Sequence, residues 1–588
     1  MKNKTLLLLI ILILCSFQAC KNRDNLLLTT NTISKEHSIS QRIDNYFKGM
    51  ETLGFSGAIA VGYKDEMILN KGYGFADREN RIPFTYQTVQ PNGSNTKQFT
   101  GAAILLLESR NLLSVNDSLT NYFENVPKDK QQITLHQLLT HSSGLLLGVG
   151  PDEDPIEFNL FFKKLMAEPL EFEPGSSYGY SNAGYSLLAK IIELISGADY
   201  ETFIRENLLE PSGMTKTGYL KPKWDHENMA IGYRRGEKWG RVYKNGWIGD
   251  GPSWHLRGNG GLHTTAEDMY KWSATVKGNG VLNKNAVKKW TTGYVDENNG
   301  FSKYGYGLIS YDDDKWGKII AHSGSNGSFT SDFFWVPEKE FFFYIHSNNY
   351  TIPAYSFKEG ILNVAFDKDF DFPPIFDFTN DIAPNVVKRK EGTYHHKEGT
   401  IKLTSDGIRL IGKISGQSVL DQMLKHDDEQ REELARLTSK IEIVMNKLEQ
   451  GNKNAFKDIV SDEEESKKVT HSFLNRIIQM RRKLESLSVI GSFVNTPGSQ
   501  FYELGPYTTF VHARFENWNQ YWNLVWKEDG TYKGNYSGPW PEFTLVPLDE
   551  KHFKGIRATQ PWNTIDVEFQ GDCLMLENEL FCLSKNEE

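Results

Sequence analysis

Three short segments supply the residue types needed for acyl transfer through a serine ester: Ser94-Asn95-Thr96-Lys97, Tyr180-Ser181-Asn182 and His322-Ser323-Gly324. A serine hydroxyl is a weak nucleophile until a neighbouring group takes its proton. Ser94 and Lys97 stand three positions apart, which puts both side chains on one face of a helix. A helix that starts at Ser94 also adds a partial positive field favouring negative charge on the serine oxygen. Burial in a cleft lowers the pKa of a lysine, and an ammonium beside Tyr180 stabilises its phenolate, so Lys97 and Tyr180 are both candidate bases. Ser94 alone reads equally as a helix-capping serine. Its two partner segments turn the balance toward chemistry.

The surrounding sequence says which elements must hold these residues. Pro91-Asn92-Gly93 is a turn, and Phe99, Ala102, Ala103, Leu106 and Leu107 follow at helical spacing, so Ser94 falls at the first turn of a helix. Tyr180 and Asn182 lie on a loop after Glu173-Pro174-Gly175, at the entrance of an apolar helix over 187–195. Residues 319–324 read as a buried strand ending at Gly324, with a second strand over 329–336; small residues there let a substrate backbone lie along the strand edge. Upstream, 34–53 reads as a helix with Ile39, Ile43, Tyr46 and Phe47 on one face, and 55–61 and 67–75 as a strand pair. The region 94–230 is mostly helical with long loops, 304–346 returns as strands, and a helix over 353–366 closes the unit. This order predicts an α+β fold: an antiparallel sheet with helices packed on it, a helical insertion, and the cleft between them.

Together the segments resemble the penicillin-recognising serine hydrolases, the clan of class C β-lactamases, DD-peptidases, D-aminopeptidases and related esterases. Its signature is Ser-x-x-Lys, Ser-Asp-Asn and Lys-Thr-Gly. The first is kept here; Tyr180-Ser181-Asn182 resembles the class C form of the second, and His322-Ser323-Gly324 is similar to the third motif of certain carboxypeptidases, aminopeptidases and esterases. The stretches Leu138-Leu139-Thr140-His141-Ser142-Ser143-Gly144-Leu145 and Gly258-Asn259-Gly260-Gly261-Leu262 also resemble the clan. The resemblance covers 34–370 and implies a β-lactamase/transpeptidase-like fold. It implies that Ser94 attacks a carbonyl, that Lys97 and Tyr180 share its proton, and that Asn182 holds Lys97 and the substrate amide. Backbone N–H groups of Ser94 and Ser325 form the oxyanion hole beside Gly324. His322 faces Tyr180, tuning its proton or meeting a substrate carboxylate, with a pH-rate limb expected between about 5.5 and 7.5, around a free imidazole. An imidazole is only partly charged at neutral pH, so the demand for a substrate carboxylate is weaker than where a lysine opens the third motif. Substrates implied are D-amino-acid peptides, β-lactams or small esters. The alternative is a non-hydrolytic β-lactam- or peptidoglycan-binding or sensor protein that retains the fold.

The chain has 588 residues, enough for two or three domains, and 39% hydrophobic residues suffice for packed cores. Its formal charge of −9 falls to −11 once residues 1–19, with Lys2 and Lys4, are removed, which does not suggest a nucleic-acid partner. Scattered histidines lack metal-ligand spacing, and no cofactor is implied. Residues 1–19 read as a signal peptide whose apolar run, Leu6 to Leu14, is too short to span a bilayer comfortably. Ala19-Cys20 resembles a lipoprotein cleavage site, so Cys20 is a candidate for lipidation, 20–33 a tether to a membrane, and the periplasm or cell envelope the expected location. A linker is expected over 371–387 and a C-terminal α+β region over 388–588. There, Leu434 to Leu448 and Val469 to Leu484 mark two amphipathic helices, followed by strands over 511–515 and 522–526. Helices before a meander make a module of the cystatin-like or nuclear-transport-factor-like kind, expected to be inserted into a β-unit formed by 400–412 and 543–582. The Trp522, Trp526 and Tyr521 stripe reads as core rather than a ligand platform. Cys573 and Cys582 face each other across a turn at Glu577-Asn578, a disulfide or two free thiols.

Overall fold

The computed structural model describes residues 38–583, apart from 153, 225–228, 235–236, 245–246, 250, 298–300, 351, 368–371, 374, 376–381, 397–398, 480–481, 496–503, 517, 538–541, 558–563 and 577–578. Residues 1–19, read as a signal peptide, Cys20 and the turn expected at Glu577-Asn578 lie outside the described residues, as does much of the 371–387 stretch. Contacts divide the chain into a unit over Lys35–Phe370 and another containing Asp371–Glu588.

The first unit opens with helix α1 (Ile39–Thr52), started by a capping box in which Ser38 and Gln41 satisfy each other's backbone N–H groups. Its buried Ile43, Tyr46, Phe47 and Met50 recur every three or four residues. They cover one face of an eight-stranded antiparallel sheet. Its strands are β1 (Gly57–Tyr63), β2 (Glu66–Tyr73), β3 (Val295–Asp296), β4 (Ser302–Tyr304), β5 (Ile309–Asp313), β6 (Gly317–Asn326), β7 (Phe329–Val336) and β8 (Phe341–Ser347), in the order β3-β4-β5-β6-β7-β8-β1-β2. β1 is buried at every position but the last, and β8 throughout, because helices cover both faces. Phe47 packs on Phe343 and Phe357 on one side. On the other, Ala58, Ala60, Phe342 and Tyr344 join a core with helices α2 (Thr96–Ser109), α3 (Asn182–Ser196) and α4 (Ala266–Val276). Helix α5 (Lys358–Phe366) packs against α1. β6 runs two residues beyond the expected end at Gly324 because Gly324, Ser325 and Asn326 still pair with Ser331, Thr330 and Phe329 of β7.

In the second unit, strands β9 (Gly392–His396), β10 (Gly399–Ser405) and β11 (Leu410–Ser415) are followed by helices α6 (Asp428–Glu449) and α7 (Glu463–Gln479). A four-stranded antiparallel meander comes next: β12 (Leu484–Val494), β13 (Tyr507–Phe515), β14 (Trp518–Trp526) and β15 (Tyr532–Ser537). Strands β16 (Glu542–Pro547), β17 (His552–Arg557), β18 (Thr564–Gln570), β19 (Cys573–Leu576) and β20 (Glu579–Leu583) complete the chain. β9, β10, β11 and β16 to β20 close into a barrel, so the helices and meander interrupt it between β11 and β16. Its interior is apolar: in β18, buried Ile565, Val567 and Phe569 alternate with more exposed residues. Trp522 and Trp526 are buried with Ile441 and Val444 of α6 in the core of the inserted module. Two expectations need correction. Leu484 belongs to β12, not to the second helix, which ends at Gln479. The end of the supposed linker folds as a short helix, Pro384–Lys388, started by its proline. Cys573 and Cys582 are paired across β19 and β20 and form a disulfide with a Cα separation of 4.0 Å.

Candidate active site

Ser94 is placed by a tight 3₁₀ turn, Gly93–Asn95, that runs into α2. The turn docks against β6 and β7 so closely that side chains are excluded at two points. Gly93 has φ +54, and a Cβ on it would stand 2.4 Å from Ser325 N; one on Gly324 would stand 2.2 Å from Asn92 O. Only glycine combines that φ with that approach. A buried polar network fastens the turn to the sheet. Ser331 Oγ donates to Asn92 O at 2.7 Å, Asn95 Nδ2 to Ser331 Oγ at 2.8 Å, and Tyr344 Oη to Asn92 Oδ1 at 2.8 Å. Deleting one such partner strands a buried polar group, at about 1–3 kcal/mol. Within 91–100 every residue but Ser94 is buried.

Lys97, one turn along α2, is wholly buried and directs its amine at three acceptors: Ser94 Oγ at 3.1 Å, Asn182 Oδ1 at 2.8 Å and Asn259 O at 2.8 Å. Burial pulls its pKa down to about 7, only partly opposed by the charge of Asp152. Neutral amine and ammonium are therefore both populated at neutral pH, and the neutral form has a lone pair for the Ser94 proton. Asn182 is the first residue of α3, whose N-cap Ser181 accepts from Gly184 N. The Asn259 carbonyl explains the Gly258-Asn259-Gly260-Gly261-Leu262 stretch, whose role motif reading did not give: Asn259 Nδ2 is fixed by Ser186 Oγ and His255 O, both at 2.9 Å.

Tyr180 lies beside Ser94, and Lys97 Nζ sits 4.9 Å from the centre of its ring, over the face rather than at the hydroxyl. The expected phenolate is overturned. Burial and the charge of Glu297 raise the Tyr180 pKa and outweigh the hydrogen bond with Ser94. Tyr180 is a neutral phenol that can pass or donate a proton. His322 departs from expectation in the same way. Its Nδ1 is 2.6 Å from Ser323 O, so that nitrogen carries the proton, and Nε2 accepts from Tyr304 Oη at 2.8 Å. Burial and the charge of Lys97 hold its pKa at about 3. A neutral ring with both nitrogens engaged offers a substrate carboxylate no charge. Tyr304, on β4, was not singled out from sequence because strand tyrosines are ordinary.

Beyond these residues, β5 stops at Ile309, opposite Ala321. From His322 onward that side of β6 has no strand partner among the described residues, and His322, Ser323, Gly324 and Ser325 line a cleft of about 320 Å³ with Ser94, Tyr180, Glu297, Tyr304, Ile309 and Tyr355. Glu297 is held by Tyr178 Oη at 3.0 Å and Ser302 Oγ at 2.5 Å. Ser323 Oγ donates to Asp332 at 2.9 Å, and Lys358 Nζ stands 3.7 Å from the same carboxylate, so Asp332 and Lys358 balance each other's charge. No cluster of side chains able to hold a metal ion occurs among the described residues.

A family model described as Beta-lactamase matches residues 43–359, more than half of the chain. The chain belongs to the β-lactamase family. PbpX of Bacillus subtilis (strain 168) is 34% identical over 262 residues, which are 43% of this chain and 62% of the relative. Penicillin-binding protein 4* of the same organism is 27% identical over 408 residues, 63% of this chain and 87% of the relative. Among solved structures, the octameric penicillin-binding protein homologue from Pyrococcus abyssi matches over 93% of this chain and 100% of its own at 19% identity, with a TM-score of 0.51. That likeness concerns the fold.

Proposed function

We propose that this β-lactamase-family chain is a serine hydrolase of amide or ester bonds that works through an acyl ester on Ser94. The observation that carries the reading is the buried Lys97 amine, with its pKa lowered to about 7, 3.1 Å from the Oγ of Ser94, which lines an open cleft. Neutral Lys97 takes the Ser94 proton as Oγ bonds to the carbonyl carbon. The resulting oxyanion meets the backbone N–H groups of Ser94 and Ser325, at about 3 kcal/mol per donor in comparable sites. Tyr180 gives its phenolic proton to the leaving nitrogen or oxygen as that bond breaks; its phenolate then takes a proton from the attacking water, and the Lys97 ammonium returns its proton to Ser94 Oγ, 3.1 Å away, as the ester is cleaved. Asn182 holds Lys97 and the substrate amide, and water then cleaves the acyl ester.

The cleft wall narrows the substrate. Glu297 is its charged residue and His322 is neutral, so a carboxylate next to the scissile bond is disfavoured. Neutral D-amino-acid peptides and small acyl esters suit the cleft better than anionic β-lactams. We place the protein in the periplasm or cell envelope, anchored through a lipid on Cys20; palmitate labelling lost on Cys20→Ala, with release to the soluble fraction, is the expected result. The function is tested with p-nitrophenyl acetate, D-alanyl-D-alanine peptides, nitrocefin and a fluorescent penicillin, mapping the adduct by mass spectrometry. An adduct on Ser94 with turnover of at least one substrate supports the reading. No adduct and no turnover with any of them favours the binding or sensor alternative.

A further inference from the structure

The 138–145 stretch has no part in the chemistry above, yet its His141 is wholly buried, a histidine at φ +58. A non-glycine residue in that left-handed region costs free energy and persists where the surrounding structure demands it. What demands it here is the loop carrying Tyr180. Gly179 N donates to His141 O at 2.8 Å, and Ser181 N donates to His141 Nδ1 at 3.0 Å. The two residues flanking Tyr180 in the chain are thus both fastened to one histidine, by its main chain on one side and its ring on the other. The His141 ring also packs on Tyr180, with centroids 4.1 Å apart, and lies 4.3 Å from the ring of Tyr304.

Neighbours of His141 extend the cradle. Ser142 O accepts from Gly175 N at 2.7 Å, and Leu147 O accepts from Asn182 N at 2.9 Å. Leu146 O accepts from Ser181 Oγ at 2.7 Å. Among the described residues, His141 alone holds both neighbours of Tyr180. Because Nδ1 accepts, the ring proton is on Nε2, which has no hydrogen-bond partner. Burial and the nearby charge of Lys97 push the His141 pKa far down, keeping the Nδ1 lone pair available to Ser181. The left-handed backbone is what turns both carbonyl and ring toward the 179–181 loop.

We infer that His141 is a positioning residue for acylation, a neutral two-sided clamp that sets the Tyr180 phenol against Ser94. It touches no substrate and acts through Tyr180. The inference rests on the proposed acyl-serine function, and its test separates the two.

Three substitutions divide the features of His141. Glycine accepts the backbone angle but has no acceptor; asparagine accepts the angle and brings an oxygen close to the position of Nδ1; alanine has neither. The readout is the rate of Ser94 acylation by a C-terminally amidated D-alanyl-D-alanine peptide, whose leaving amine needs the Tyr180 proton, in the full chain, with thermal unfolding followed in parallel. His141→Gly is expected to slow acylation about a hundredfold, the order of loss when a catalytic group shifts by about 1 Å. His141→Asn should recover most of that rate, and His141→Ala should be the slowest and least stable. In a Tyr180→Phe background, His141→Gly should slow acylation less than twofold further, since the clamp then has no phenol to place. Asparagine no faster than glycine, or penalties that multiply in the Tyr180→Phe background, overturns the clamp while leaving the acyl-serine reading intact. Variants that do not fold also overturn it, since His141 would then be a determinant of the fold. Wild-type protein that is never acylated on Ser94 overturns the functional reading and the clamp with it.

Discussion

The open sheet of the first unit and the closed barrel of the second treat strand edges in opposite ways. In the barrel every strand has a neighbour on both sides, with β9 paired to β20 to close the ring. In the sheet, β5 ends opposite Ala321 and, among the described residues, leaves one side of β6 unpaired from His322 to Asn326. An unpaired edge is a liability for a soluble protein and a tool for binding an extended substrate. Around that edge the first unit buries Lys97, His141, His322 and Asp332, each with a function or a partner to account for its desolvation. The barrel interior is built from Ile401, Leu403, Val567, Phe569 and similar side chains. The candidate site and the apolar barrel thus fall in different parts of one chain.

That division is open to experiment. Its sharpest break is Ser94→Ala, expected to reduce ester turnover at least a thousandfold, as removal of a nucleophile does in serine enzymes; mass spectrometry should then find no acyl adduct. The pH-rate profile comes next. Acylation needs neutral Lys97, and its folded pKa is lowered to about 7. The rate should therefore fall about tenfold per pH unit below 7 and flatten above it. The expected limb near neutrality belongs to Lys97 rather than His322, so His322→Gln should keep it; a limb that vanishes in that variant would return the titration to the imidazole. Smaller again is the charge on the cleft wall. Glu297→Gln should raise kcat/KM for anionic benzylpenicillin relative to neutral p-nitrophenyl acetate by about tenfold, the scale of one charge-assisted contact. Least in its effect on activity is the barrel staple: Cys573→Ser with Cys582→Ser should leave Ser94 acylation unchanged and lower barrel stability by about 2–3 kcal/mol in denaturant titration. Loss of acylation in that variant would dissolve the division.

Sequence by itself determined the local elements and the residue types in the site. Periodicity marked α1, α2 and α6, since burying one face of a helix imposes a 3.6-residue repeat, and alternation marked β13 and β14 of the inserted module. Ser94, Lys97, Tyr180, Asn182 and His322 were legible because their spacing and neighbours carry chemistry that packing alone does not require. Only the tertiary structure decided their states. Whether Tyr180 is a phenolate or a phenol, and whether His322 is charged, depends on desolvation and on Glu297, Tyr304 and Lys97, which lie far along the chain. The parts of His141, Asn259 and Tyr304 were hidden for the same reason: a backbone carbonyl, a left-handed φ and a strand tyrosine leave no periodic trace, and their meaning arises when distant segments are brought within about 3 Å, hydrogen-bond range.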